Sequence, residues 1–426
     1  MAVNYNRSEI GKGIFLTRIC DPKYKSNIVR VRFITPINKD DLGVNALLMS
    51  MLITSNSEIP SRSELSKKLI GLYGTSIGAV WGNVSDLQAL GITISTIRDR
   101  FTIGGEVISE EAVRQLLLCI FSPDLTDGKF KEKYFRLRRQ ELLDNIAAAV
   151  NDKRSYAFMK AREVIYEGEP AAATDLGSAE RAEKITQEDL LRQYDFLMKN
   201  AVIDITVCGG GEIDSAVAML TEKFAGMERG DVPEVVYRKF SPVKNEVCRR
   251  EEPMDIKQSK MFMAYKSDYE DIYVCKVMAC LLGGSAFSKL FMNVREKLSV
   301  CYYCDSYYQD LKGVMMIESG VDNSNIEKAQ KAITAELEAV QNGDFTDTEL
   351  ENTKLYISGN FRSNYDSEWD IAGWYRVQAT RGTAYSPEEA GALINAVTRE
   401  QVIECAKSFK ADTVFILKAE EGSADE

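Results

Sequence analysis

The sequence predicts an α+β chain of two homologous domains, each a largely antiparallel sheet packed with helices, and three observations predict it. Strand-like alternation and helix-like periodicity come in blocks, strands in pairs and helices in groups, rather than as strict strand–helix–strand alternation. The order of those blocks in the first half returns in the second, and Leu125, Thr126, Asp127 and Phe130 are matched by Phe345, Thr346, Asp347 and Leu350 at an offset of 220 residues. A repeat that long is a duplicated domain, because solenoid periods run at roughly 20 to 50 residues. Between the copies, 226–253 holds Pro233, Pro242 and Pro253 and the mixed charge run Arg249 to Glu252. It reads as a linker between an N-terminal domain at 1–225 and a C-terminal domain at 254–426.

Taken in order, 27–37 alternates apolar and polar side chains and reads as a strand with one wet face. A buried helix over 42–53 follows the charged turn 38–41, then a second helix over 63–72 with Ser61 or Ser63 as cap. Strands are expected at 75–81 and 87–96, joined by a turn at Gly82 and Asn83. Helical patterns cover 109–121 and run from 127 through 146 toward 165, and a strand at 202–208 leads into three glycines and a helix at 214–224. The second copy offers a strand at 261–265, helices at 269–282 and 285–297, strands at 300–308 and 313–321, helices at 325–340 and from 346, and a last strand at 413–418.

Composition narrows the chemistry. With 45% hydrophobic residues in 426, the chain can bury large cores without staples. A net charge of −11, spread along the chain, argues against a nucleic-acid surface. No signal-like or membrane-spanning run is present, and nine scattered cysteines fit reduced thiols, so a cytoplasmic location is expected. Histidine is absent altogether, which removes Ser-His-Asp and Cys-His catalysis and every His-ligated metal.

The stretch Gly43 to Leu52 organises the functional reading. On its helix Ala46, Met49 and Ser50 share one face at the i, i+3, i+4 spacing that a His-x-x-Glu-His zinc site uses, with two imidazoles as ligands and the carboxylate as base for a bound water. Further on, Leu290 to Tyr302 carries Arg295 and, seven residues later, Tyr302. Gly283 and Gly284 form a turn without phosphate-loop spacing, as do Gly209 to Gly211. Cys301 and Cys304 are expected on a strand, pointing to opposite faces, and with Cys275 and Cys280 do not read as a thiolate zinc site. Tyr302, Tyr303, Tyr307, Tyr308, Trp369 and Trp374 read as sheet aromatics or the lining of a peptide groove.

On these motifs the chain resembles the pitrilysin/insulinase family of zinc peptidases, the inverzincins, and in particular the branch that lacks the zinc motif. Gly43, Met51 and Leu52 match the frame of the family's first motif, while its two histidines fall on Ala46 and Ser50 and its catalytic Glu on Met49. The family's third ligand falls within 139–146, where Glu141 and Asn145 are both candidates, Asn145 by register. The resemblance implies two domains of the LuxS/metallohydrolase-like type in a clamshell, with Arg295 and Tyr302 as substrate-binding residues. It further implies no catalytic residue, no metal and no cofactor. The expected function is the non-catalytic, peptide-binding subunit of a heterodimer with an active paralogue, or else a homodimer. The alternatives are an active zinc endopeptidase with atypical ligands and a stand-alone peptide- or protein-binding scaffold.

Overall fold

The computed structural model describes residues 3–420 and contains two large sheets, each built around a long central strand, and a two-stranded hairpin of Leu125–Thr126 and Lys129–Phe130. In the first, Ser26–Pro36 pairs antiparallel with Leu87–Ile97 and with Val202–Gly209. Ser76–Val84 extends one side, and on the other Ile14–Cys20 lies parallel to Val202–Gly209, with Asn4–Gly11 at the edge. In the second sheet, Ser259–Lys266 pairs antiparallel with Val314–Val321 and Lys410–Ala419. Tyr303–Gln309 extends one side, and Cys248–Met254 runs parallel to Lys410–Ala419 on the other. The two sheets therefore share one strand order and one parallel pairing, and the first adds a single N-terminal strand. This common topology is the α+β duplication expected from the sequence, and both sheets are largely antiparallel and open.

The chain divides into two compact units, one of residues 1–148, 173–236 and 365–376, the other of 149–172, 237–364 and 377–426. In the first, Val29, Val31, Phe33, Leu90, Ile92 and Ile205 face one core with the helix Leu42–Leu52. The reverse face carries Arg30, Arg32, Asp204 and Thr206, and the 365–376 segment packs there: Ile371 and Tyr375 join Ile19, Tyr24 and Cys208 in a smaller cluster. In the second unit Met261, Met263 and Ile317 face the main core, and the helix Lys153–Ile165 covers the reverse face, setting Ala157, Ala161 and Val164 on Phe262, Met316 and Phe415. Burying each large side chain in these layers contributes about 1.5–3 kcal/mol.

The C-terminus of the helix Lys153–Ile165 is closed by cations from its own unit. Lys244 donates to Val164 O at 2.7 Å and Lys266 to Ile165 O at 2.9 Å, satisfying carbonyls that lack an intrahelical partner. Both ammonium groups lie 3.3 Å from Asp412 Oδ2. Asp412 sits where the register of Lys410–Ala419 shifts against Ser259–Lys266, an irregularity that re-aims its side chain inward. Burial alone would raise its pKa, yet the Lys244 N–H, the Thr413 hydroxyl and the two lysines hold the carboxyl below its usual range.

Several expectations change. The face of 27–37 read as wet is covered: Arg32 is only 6% exposed. The turn before Leu87 is Ser85 and Asp86, with Ser85 at φ +58, while Gly82 and Asn83 lie inside the strand. The helical run toward 165 breaks at Ala149–Asn151 into Glu132–Ala148 and Lys153–Ile165, which belong to different units. Leu290–Lys297 is a π-helix rather than an α-helix, and the strand after it starts at Tyr303, not at Val300. Cys248–Met254 is a strand within the stretch read as linker.

Removing the Asp412 carboxylate leaves Lys244 and Lys266 facing each other without it. Asp412→Ala is expected to lower stability by about 3–5 kcal/mol, read as a fall in the urea midpoint at unchanged slope. Asp412→Asn, which keeps an acceptor for the Lys244 N–H, is expected to cost less.

Candidate functional site

The helix Leu42–Leu52 is buried along almost its whole length, and its start is pinned to the sheet by side-chain amides. Asn45 Nδ2 donates to Gln88 Oε1 at 2.9 Å, and Gln88 Nε2 donates to Leu42 O at 3.2 Å. Gly43 is required here, since a Cβ would stand 2.9 Å from Leu176 O. Held in this way, the helix turns Ala46 and Ser50 into a cavity of about 200 Å³ that Trp81, Arg138, Glu141 and Asn145 also line. The sequence thus brought together both ligand-equivalent helix positions and both candidates for the third, because Glu141 and Asn145 are one turn apart on Glu132–Ala148. Met49 does not line this space. It is 1% exposed and packs in the main core.

Three of the cavity's polar side chains, Ser50, Arg138 and Glu141, are committed to protein partners. Ser50 Oγ donates to Ala46 O at 3.1 Å, and Thr54 Oγ1 donates to Ser50 O at 2.8 Å. Arg138 Nε donates to Thr54 Oγ1 at 2.9 Å and its Nη1 to Glu141 Oε2 at 2.6 Å, while Arg62 lies 3.7 Å from Glu141 Oε1. A methyl group, a hydroxyl spent on its own helix and a carboxylate paired with guanidinium do not make a zinc ligand set, and Arg138 brings a positive charge to the same place. The residues do not fit zinc, and no step is routed through one. Among the described residues no group of three or more Cys, Asp or Glu is placed to hold a metal ion.

Arg295 and Tyr302 lie in the other unit. The π-helix registers Arg295 near its end, with Leu298 N donating to Asn293 O at 3.1 Å across five residues. The Arg295 guanidinium lies over the Phe291 ring at 4.6 Å and 3.6 Å from Glu296 Oε1. Tyr302 is anchored by its N–H to Gly320 O at 2.9 Å, reaches Asp322 Oδ2 at 3.5 Å and leaves its ring 54% exposed. Upstream, a Cβ on Gly283 would meet Ser306 N at 2.7 Å, so that glycine serves close packing of the preceding helix on the strand. The six aromatics do not form one group: Trp369 and Trp374 belong to the first unit and the four tyrosines to the second.

Sequence reasoning missed one contact. Because the strand begins at Tyr303, Cys301 precedes it, and its free thiol interacts with that of Cys304 instead of facing away. The hydrogen bond from Cys304, helped by Ser319 and by the charge of Arg295, outweighs burial and brings Cys301 down to about 7. Cys304, the donor and the more buried of the two, is pushed up.

The α+β chain thus carries, beside Ala46 and Ser50, a cavity without a zinc ligand set among the described residues. The sequence matches the family described as Peptidase M16 inactive domain over residues 184–356. It is 25% identical over 426 residues, 99% of each chain, to the "Probable inactive metalloprotease YmfF" of Bacillus subtilis strain 168. A crystal structure of a conserved protein from Enterococcus faecalis V583 superposes with a TM-score of 0.89 at 26% identity, over 99% of this chain and 100% of that one. A chain of Complex III2 from Candida albicans, Inz-5 bound, shares the fold with a TM-score of 0.75 at 17% identity, covering 99% of this chain and 97% of its own. These matches point to the inactive branch of the M16 (pitrilysin/insulinase) peptidases and support a non-catalytic peptidase homologue.

Two outcomes are expected from this geometry. Met49→Glu places a carboxylate in the core and is expected to cost about 3 kcal/mol or more, whereas Ser50→His, pointing into the cavity, is expected to stay within about 1 kcal/mol; paired chemical-denaturation curves check both. Cys301 is expected to react with iodoacetamide with a midpoint near pH 7, its thiolate fraction rising through that value. Cys304→Ala is expected to move that midpoint up toward the ordinary thiol value of about 8.5, and Arg295→Ala to move it in the same direction by less, as followed by peptide mapping.

Proposed function

We propose that this chain is the peptide-holding, non-catalytic subunit of a heteromeric processing peptidase, beside a paralogue that keeps His-x-x-Glu-His. The observation that carries the reading is the cavity between Leu42–Leu52 and Glu132–Ala148: the frame of a metallopeptidase site is kept open, while Ala46, Ser50 and the Arg138–Glu141 pair leave it no metal and no free base. A scaffold preserved along its full length without its chemistry fits a role in binding and assembly. The occurrence of the same fold in a chain of Complex III2 supports a life within a larger assembly. In this reading the copies at 1–225 and 254–426 are the two peptidase-like domains joined through 226–253. Arg295 and Tyr302 hold peptide backbone, for which a planar donor and an exposed phenol are suited. The nine unpaired thiols and the net charge of −11 support a cytoplasmic setting and a peptide or protein partner rather than nucleic acid.

The competing readings differ in one observation each. An active enzyme with atypical ligands requires a metal-holding group, and around the cavity Ser50 and Glu141 are engaged elsewhere, leaving the amide of Asn145 as a neutral donor. A homodimer or stand-alone scaffold would act without the paralogue. Co-expression of the chain with its encoded active paralogue, followed by size-exclusion chromatography at micromolar concentration, is expected to give one shared peak with peptide hydrolysis. Arg295→Ala in that pair is expected to raise KM with kcat little changed. Separate peaks, with hydrolysis by the paralogue alone at the same rate, would discard the subunit role.

A further inference from the structure

The reverse face of the first sheet carries a charge imbalance that the fold does not need. Arg30 and Arg32 project from Ser26–Pro36 toward the 365–376 segment, and Asp204 stands opposite Arg32 on the neighbouring strand. Asp204 is already held: Arg7 Nη1 donates to its Oδ1 at 2.5 Å, and Arg32 Nη1 is 3.9 Å from its Oδ2. Arg30 donates its Nε to Thr93 Oγ1 at 2.9 Å and lies 5.5 Å from the Trp369 ring centroid. Arg376 follows Trp369 by seven residues, two turns along the helix that begins at Glu368, and so falls on the same side of it. Glu368, the nearby helix carboxylate, is hydrogen-bonded by Ser26.

Two guanidinium groups in this layer have a buried donor without a hydrogen-bonded partner. The Arg32 side chain is 7% exposed, and its buried Nη1 donates to no acceptor among the described residues. The buried Nε of Arg376 is also unsatisfied. Arg7, Arg30, Arg32 and Arg376 therefore share this layer with two carboxylates, Asp204, which Arg7 already occupies, and Glu368, which Ser26 bonds. Unpaired buried donors and like charges held together each cost free energy, and a fork-shaped guanidinium is matched by the two oxygens of a carboxylate or phosphate. Burial, and then the charges of Arg32 and Arg30, bring the pKa of Arg376 down to about 10, as expected for a cation whose counter-ion is missing.

The geometry points to a binding site for a small oxyanion, a phosphate or a carboxylate, held by Arg32 and Arg376 with Arg30 alongside, on the sheet face opposite the peptidase-like cavity. It is separate from the residues that would hold peptide and stands whether or not the subunit role does.

Thermal unfolding and isothermal titration of the full chain, with inorganic phosphate and with citrate against sodium chloride at matched ionic strength, test it. A rise in Tm with millimolar oxyanion beyond the chloride control, with binding weakened tenfold or more in Arg376→Met and in Arg32→Met, is the expected result. Phosphate acting without citrate would assign a tetrahedral ligand, and citrate without phosphate a carboxylate. Stabilisation equal to that of chloride, or binding undiminished in Arg376→Met, would overturn the site. Should Arg376→Met fail to fold, Arg30→Gln is held to the same criterion.

Discussion

The central strands of both large sheets are buried on both faces, and much else in the structure follows from that constraint. Every residue of Val202–Gly209 and of Val314–Val321 is buried, as few strands exposed on one face can be. Each sheet therefore requires a helical layer on its reverse side as well as its core side. The chain supplies these layers by sending 149–172 into one unit and 365–376 into the other. A helix packed against a sheet in this way buries its end carbonyls, which must then find donors. In the second unit Lys244 and Lys266 meet that demand, and Asp412 in turn compensates them, so one polar cluster answers a need that apolar packing created.

The same packing shapes the cavity beside Leu42–Leu52. The helix Leu42–Leu52 lies too deep for its residues to change freely. At Met49, a long apolar side chain packs among its neighbours and adds to the core. At Ala46 and Ser50 smaller residues left space, and Arg138 with Glu141 occupies the rim through a short ion pair. Charge that a divalent ion would bring is supplied instead by a guanidinium already bonded to the protein. The result keeps the shape of a site while removing its donors, which suits recognition better than chemistry.

Much of this was legible in the residues. The helix Leu42–Leu52 and the duplicated block order follow from spacing and periodicity, which report local geometry directly. The edge strand Asn4–Gly11 escaped because a polar edge strand has little apolar alternation to show. The π-helix at Leu290–Lys297 escaped because its apolar spacing passes for 3.6-residue periodicity. The thiol pair Cys301–Cys304 depended on where a strand starts, which is the least certain property of any strand read from sequence. Arg30 and Arg32 failed for a different reason. Their alternation with Val29, Val31 and Phe33 is the ordinary signature of a solvated face, and the sequence of one strand carries no record of the distant helix that covers it.

That failure separates two kinds of buried charge. The two sheets share a strand order, and each has a reverse face carrying ionic groups beneath a covering helix, so they serve as controls for each other. In the second unit most of the ionic groups are matched: Lys266 and Lys244 with Asp412 and helix carbonyls, Lys312 with Glu169, Arg154 with Glu318. Lys260 is the exception, set over the Tyr303 ring rather than beside a carboxylate. In the first unit Arg32 and Arg376 sit in the corresponding layer with buried donors that nothing among the described residues accepts. Stability gives no reason to keep them, since an apolar side chain of similar length would pack there at lower electrostatic cost. Their retention is explained by an anion, and the covering helix that hides these arginines from the sequence is what would shelter it from competing water.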